Sequence, residues 1–268
     1  MKDTIKISLI LFALMLTLTG CSPANIDKVI KVGASITPHA EILEVIRPLV
    51  EAKGYTLEII EFTDYVLPNI NLNEGELDAN YFQHVPYLTN FNAEKGTKIA
   101  SVLAVHFEPL GLYPGRTASV ETLPDGAQIA VPNDATNEAR ALNLLQSLGL
   151  ITIDPTKAEA ATILDITSNP KNLIIVGLEA AQLARSLPDV DLAVINGNFA
   201  LEAGITATVL ITEGKDSIAA QKYANILAVH EDQVDSEKTK VLVDALRSDE
   251  VKAFIVEKFY PVVISVTE

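Results

Sequence analysis

Tryptophan is absent from the 268 residues, and cysteine occurs once, at Cys21. A lone cysteine excludes an internal disulfide framework, so a folded chain of this length must draw its stability from an apolar core. Positive charge is also scarce, with 20 Lys and Arg against 35 Asp and Glu and a net charge of −15. Nucleic-acid binding needs a basic surface to displace phosphate counterions, and this balance disfavours it. Catalytic signatures are missing as well: there is no His-Glu-x-x-His helix, no Gly-x-Ser-x-Gly elbow and no Gly-x-Gly-x-x-Gly turn. Gly214-Lys215 lacks the earlier glycine of a phosphate-binding loop. His39, His84, His106 and His230 have no metal-ligand spacing, although distant histidines such as His84 and His106 could still meet around zinc in three dimensions. An enzyme would need an activated nucleophile or a metal that the chain does not display, and neither a catalytic residue nor a cofactor is expected.

What is present begins with the amino-terminal segment. Lys2 and Lys6 precede an apolar stretch from Ile7 to Leu18, which is shorter than the roughly 20 residues needed to span a bilayer. Leu18-Thr19-Gly20-Cys21 then resembles a lipobox. The expectation is a signal peptide over residues 1–20 and a lipidated linker over 21–25, with acyl groups such as palmitate on Cys21. Two or more chains give stable anchoring where one gives marginal binding. The mature protein is then expected on the extracytoplasmic face of the cell membrane.

From Asn25 onward, short Val- and Ile-rich runs alternate with segments of helical period, the pattern of repeated βα units. Ile30–Ala34 reads as a strand, and Thr37-Pro38 as the N-cap and first position of a helix. Ile42, Val45, Ile46, Leu49 and Val50 give that helix one apolar stripe, and Gly54 ends it. Further strands are expected at Tyr55–Phe62, Leu77–Phe82, Gln128–Val131, Leu173–Val176, Leu192–Ile195 and Asn225–Val229. A short helix is expected near Asn69–Gly75, others after His84 and through Leu142, Leu145 and Leu148, and a final helical region from Ser236 to about Phe259. The apolar stretch Ile99–Tyr113 is broken at Glu108-Pro109, where proline would remove a ladder donor, and this marks a crossing between lobes. One lobe is expected over 26–108 and 229–268, the other over 109–228.

Ligands of open α/β sheets bind at the carboxyl ends of strands. Tyr65 follows the second strand; Phe82, His84 and Tyr87 follow the third. Asn137 and Arg140 open the helix after Val131, and Asn196 and Asn198 follow Ile195. Arg140 has two readings. In one, a planar fork near a helix N-terminus binds a carboxylate bidentately; in the other, it is a surface arginine paired with Glu138 or Asp134. Taken singly, Phe82 and Tyr87 are more often core than pocket, and Asn196 and Asn198 are as readily turn residues.

Longer strings carry a resemblance. Phe62-Thr63-Asp64-Tyr65-Val66, Phe82-Gln83-His84-Val85-Pro86-Tyr87-Leu88, Thr136-Asn137-Glu138-Ala139-Arg140, Asn169-Pro170-Lys171-Asn172-Leu173 and Val194-Ile195-Asn196 resemble the NlpA/MetQ family of methionine-binding lipoproteins. The likeness runs from about Ile30 to Phe259. It implies a two-lobed α/β periplasmic-binding-protein fold (type II-like) with a ligand cleft between the lobes. It also implies a substrate-binding protein that delivers methionine, as the L-form, the D-form, a derivative or a dipeptide, to the permease and ATPase of an ABC importer. By position it implies ligand contacts at Tyr65, Phe82, His84, Tyr87, Asn137, Arg140, Asn196 and Asn225, with Arg140 on the carboxylate and the aromatics around the thioether. Asn225 enters on the resemblance alone. Another amino acid or a metal ion is the alternative ligand. Thr152–Ala160, Thr206–Gln221 and the tail after Tyr260 depart from the family pattern.

Overall fold

A computed structural model describes residues 28–214 and 218–267. The leader and the Cys21 lipidation site therefore lie outside the described residues. Among the described residues, no helix is long and apolar enough to cross a membrane. Thirteen strands among the described residues fall into two main sheets and one small one.

The first sheet holds β1 (Val29–Ser35), β2 (Thr56–Phe62), β3 (Ala79–His84), β4 (Ile99–Phe107), β12 (Ala224–His230) and β13 (Ile264–Ser265), in the order β13-β4-β12-β3-β1-β2. β1 runs parallel to β2 and β3, whereas β12 is antiparallel to both β3 and β4. The second sheet holds β5 (Gly111–Pro114), β6 (Gln128–Pro132), β9 (Ile174–Leu178), β10 (Leu192–Ile195) and β11 (Ile211–Thr212), in the order β11-β5-β10-β6-β9. Between β6 and β9, β7 (Thr152–Ile153) and β8 (Ile166–Ser168) form a small antiparallel pair.

Each main sheet has its own core. In the first, Ile30, Val32 and Ala34 pack against Ile42, Leu43, Ile46 and Val50 of the Glu41–Ala52 helix. Each fully buried aliphatic side chain contributes about 1.5–3 kcal/mol relative to exposure, so four of them hold this helix down firmly. Gly54 follows the helix at φ +81°, the left-handed turn that favours glycine. Thr37 is extended (φ −134°, ψ 141°), as both an N-cap residue and a residue before proline are, and the turn Pro38–Ala40 leads into the regular helix at Glu41. In the second sheet, Ile129, Val131, Leu192 and Val194 pack against Leu142 and Leu145 of the Ala135–Ser147 helix.

The sheet changes between Phe107 and Gly111, at the Glu108-Pro109 break. The chain is back in the first sheet by Ala224, earlier than the position 229 suggested by the sequence, because all of Ala224–Val229 is buried strand. The final helical region is two helices, Glu237–Leu246 and Asp249–Phe259. Ser248 separates them by capping the second through Val251 N–H.

Candidate functional site

Strand ends from both sheets converge on one cleft. β3 ends at His84 and β4 runs into Glu108 from the first sheet; β6 leads to Asp134 and β10 to Asn196 from the second. β12 enters antiparallel, so its start lies at the same edge, with Asn225 in register beside both His84 and His106. All eight residues expected at the site, Tyr65, Phe82, His84, Tyr87, Asn137, Arg140, Asn196 and Asn225, line this cleft. Gln83, Glu108, Gly197 and Asn198 line it too.

The aromatic side is built on Tyr65. Its ring centroid lies 5.8 Å from that of Phe82, 5.9 Å from Tyr87 and 5.0 Å from Phe199, within the range of favourable aromatic pairs. Tyr65 donates its hydroxyl to Asn198 Oδ1 at 2.5 Å, and Tyr87 donates its own to the Tyr65 carbonyl at 2.8 Å. Burial pushes the Tyr65 and Tyr87 hydroxyls well above their ordinary range, so both remain neutral donors.

The amide side is a chain of hydrogen bonds. Asp134 caps the Ala135–Ser147 helix through Asn137 N–H at 3.0 Å, and both its carboxylate oxygens accept from Asn137 Nδ2. Asn137 Oδ1 then accepts from Asn196 Nδ2 at 3.1 Å and meets His84 Nε2 at 3.3 Å. Tyr87 N–H donates to His84 Nδ1, so His84 carries its hydrogen on Nε2. Two polar atoms of this cleft, Asn196 Oδ1 and Asn198 Nδ2, are buried with no partner. An orphaned acceptor and donor facing one cleft call for a ligand with both functions.

Arg140 is 5 % exposed, and the structure assigns its ion-pair partner to a residue the sequence did not suggest. Glu213 takes Nε at 2.8 Å and Nη2 at 2.6 Å, and the Glu108 carbonyl accepts from Nη2 at 2.8 Å. Glu138 and Asp134 do neither: Glu138 accepts from Ile163 N–H, and Asp134 is the cap. The guanidinium also lies over the Tyr223 ring at 4.6 Å and the Phe107 ring at 5.7 Å. These contacts engage one edge of the fork and leave Nη1 outside them. Arg140 sits in the second turn of its helix, beyond the reach of the free N–H groups, so the dipole contributes less than its sequence position suggests.

Beside Arg140 lies a fully buried cluster that motif reading passed over, because its members are remote in sequence. His106 Nε2 donates to Glu108 Oε1 at 2.7 Å, and Tyr81 donates its hydroxyl to His106 Nδ1. His39 Nε2 donates to Asn225 Oδ1 at 3.0 Å and stands 3.3 Å from Glu108 Oε1. His39, His106 and Glu108 place ligating atoms within 4.8 Å of one another, with an ordinary N–H···O bond from His106 to Glu108 and the His39 N–H given to Asn225. His84 and His106, the pair a zinc site would have used, instead bond to Asn137 and Glu108. His230 stands apart, capping the turn Glu231–Gln233. Burial holds His39 down to about 4 and both His84 and His106 down to about 3. Burial pushes the Glu108 carboxyl upward, with His39, the Asn198 backbone N–H and Arg140 acting against that rise.

A family model described as NlpA lipoprotein matches residues 30–266. The chain belongs to the NlpA lipoprotein family. Among relatives of this NlpA chain, the D-methionine-binding lipoprotein MetQ of Salmonella typhi is 43% identical over 242 residues, 88% of each chain. The methionine-binding lipoprotein MetQ of Bacillus subtilis is 40% identical over 251 residues, covering 90% of this chain and 89% of the relative. Among solved structures, a nutrient binding protein from Burkholderia cenocepacia bound to methionine superposes with a TM-score of 0.83 at 43% identity, covering 88% of this chain and 99% of that one. The two-lobed α/β architecture is thus the one shared by substrate-binding members of the NlpA family.

Proposed function

We propose that this NlpA-family chain is the methionine-capturing subunit of an ABC importer, anchored by lipid at Cys21 on the extracytoplasmic face of the membrane. The observation that carries the reading is the division of the cleft into two ends. One end offers the Nη1 edge of Arg140 with the orphaned Asn196 Oδ1; the other offers the rings of Tyr65, Phe82 and Tyr87. Asn198, which accepts from the Tyr65 hydroxyl and keeps an orphaned Nδ2, stands at the aromatic side facing the same cleft. A free amino acid with an apolar side chain fits both ends. A thioether beside ring edges gains about 0.3–1.5 kcal/mol per contact, which suits the aromatic end to methionine. The relatives named for methionine, in D- or unspecified form, support the same ligand class. The role is carriage, with no bond made or broken in the ligand. Residues 28–108 together with those from Ala224 onward would form one lobe and the intervening chain the other, closing over the ligand before docking on the permease.

Native mass spectrometry of freshly purified protein tests the ligand. The expected result is a mass excess equal to one methionine, lost on exhaustive dialysis and regained on adding L- or D-methionine. Recovery of a different amino acid or a metal ion would replace methionine in the reading, and a ligand-free protein that gains no mass with methionine would end it. The anchor has its own test. Cys21→Ser is expected to leave methionine binding intact and to release the protein from membranes; a variant that still sediments with membranes after a high-salt wash rules out anchoring at this cysteine.

A further inference from the structure

A free amino acid carries two charges, and Arg140 addresses only the negative one. The positive one needs an anion at the same end of the cleft. We propose that the Glu108 carboxylate is the counter-ion of the ligand's α-ammonium group, held in position by His39 and His106; this rests on the amino-acid reading above.

Glu108 lines the cleft directly after β4, and only 5 % of it is exposed. Its Oε1 accepts from His106 Nε2 at 2.7 Å and faces His39 Nε2 at 3.3 Å. Both imidazoles are held neutral by burial; His106 orients the carboxylate with its N–H, His39 packs beside it while giving its N–H to Asn225, and neither cancels the carboxylate's charge. A carboxylate has about four acceptor sites, and two imidazoles with one backbone N–H do not exhaust them. The nearest cation does not complete it either. Arg140 meets Glu108 through the backbone carbonyl, while its charge is paired with Glu213. A buried carboxylate lacking a cation is costly, and a ligand ammonium removes that cost when it arrives.

The surrounding atoms sort by function in the same way. Asn196 Oδ1 is an orphaned acceptor in the same cleft as Glu108, and an ammonium, with three donors and no acceptor, requires an acceptor corner. Asn198 Nδ2 and Arg140 Nη1 supply donors for a carboxylate. Gly197 keeps the Glu108 side chain close to the cleft wall: a Cβ there would stand 2.9 Å from Glu108 Cβ and 3.1 Å from Oε2. Any other residue would push the carboxylate away from the place where the ammonium must sit.

The experiment compares L-methionine with 4-(methylthio)butanoate, which keeps the carboxylate and thioether and lacks the ammonium. Titration calorimetry is run on wild type and on Glu108→Gln, an isosteric change that still accepts from the histidines. Losing one partner of a buried charge pair predicts a fall of about 30-fold or more in L-methionine affinity for the variant. Affinity for the analogue should stay within about threefold of wild type, so that the variant's preference for the amine largely disappears. Equal losses for both ligands would reveal a merely structural role and overturn the proposal, as would an unchanged affinity for L-methionine. Failure of wild type itself to bind methionine would show separately that the amino-acid reading is wrong, and the proposal falls with it. If circular dichroism shows that Glu108→Gln is unfolded, Glu108→Asp, which keeps the charge and withdraws it by one methylene, is read by the same criteria.

Discussion

Replacing Arg140 with alanine is expected to weaken L-methionine binding by about 30-fold to several thousand-fold, and to lower the melting temperature of the ligand-free protein as well. The first effect follows from the cleft. Truncating one member of a buried, hydrogen-bonded charge pair costs about 2–5 kcal/mol or more, at roughly 1.4 kcal/mol per tenfold. The second follows from Glu213, whose side chain is 11 % exposed and whose carboxylate spans Nε and Nη2 of the arginine. Without Arg140 that carboxylate keeps its burial and loses its cation, a loss on the order of 3–5 kcal/mol when a buried pair is broken. The Tyr223 ring, 4.6 Å from the guanidinium, would also border an empty space.

Because alanine disturbs fold and site together, Arg140→Lys is the discriminating variant. A lysine retains a charge for Glu213, so the loss of stability should be well below that of Arg140→Ala. It cannot serve Glu213 on one edge and a ligand carboxylate on another, since an ammonium has no planar fork. Calorimetry with L-methionine should therefore show a large loss of affinity in a protein that melts near wild type. Wild-type affinity in Arg140→Lys would mean that the arginine is a structural member of the Glu213 pair and does not meet the ligand.

Much of the architecture is legible in local pattern because strand and helix periods are local properties. Leu192–Ile195 is a strand of four buried aliphatics with turn residues beyond it, and the stripe Ile42–Val50 has one apolar face. Glu108-Pro109 marks the change of sheet for an equally local reason, since proline supplies no ladder donor. Residues brought together by strand register are a different matter. Asn225 reaches the cleft because β12 lies between β3 and β4, a pairing of segments far apart in sequence that no local pattern encodes. Glu213 lies 73 residues from Arg140, in a stretch that departs from the family strings, so motif reading offered only the nearby Glu138 and Asp134 as partners. Glu108 was visible as a strand breaker, yet its chemistry depends on His39 and His106 arriving from two other segments. Asn198 stood beside Asn196 as a plain turn residue, and only its buried, unpaired Nδ2 distinguishes it.

Three buried histidines also predict a steep loss of stability in mild acid. In the unfolded chain each takes up a proton near 6.5, whereas in the folded protein His39 holds out to about 4 and His84 and His106 to about 3. These are folded values depressed below the unfolded ones, so the stabilisation is complete above 6.5 and is lost as pH falls toward 4. Through that window the unfolded state binds more protons, which makes unfolding easier with every step downward. Glu108 works the other way, since burial raises its carboxyl in the folded state and opposes part of the trend. With each imidazole worth up to roughly 1.4 kcal/mol per pH unit, the three outweigh the single carboxyl, and the net loss is on the order of several kcal/mol between pH 6.5 and 4.5. A loss of that size is comparable to the entire stability of many domains. Most unfolded-state carboxylates remain ionised above about pH 5, so the upper part of the window reports the histidines. Scanning calorimetry of ligand-free protein should show the melting temperature already falling between pH 6.5 and 5.5, with net proton uptake on unfolding. A flat melting temperature across that interval, or unfolding without proton uptake, would mean that these imidazoles are protonated, or reached by water, in the folded state.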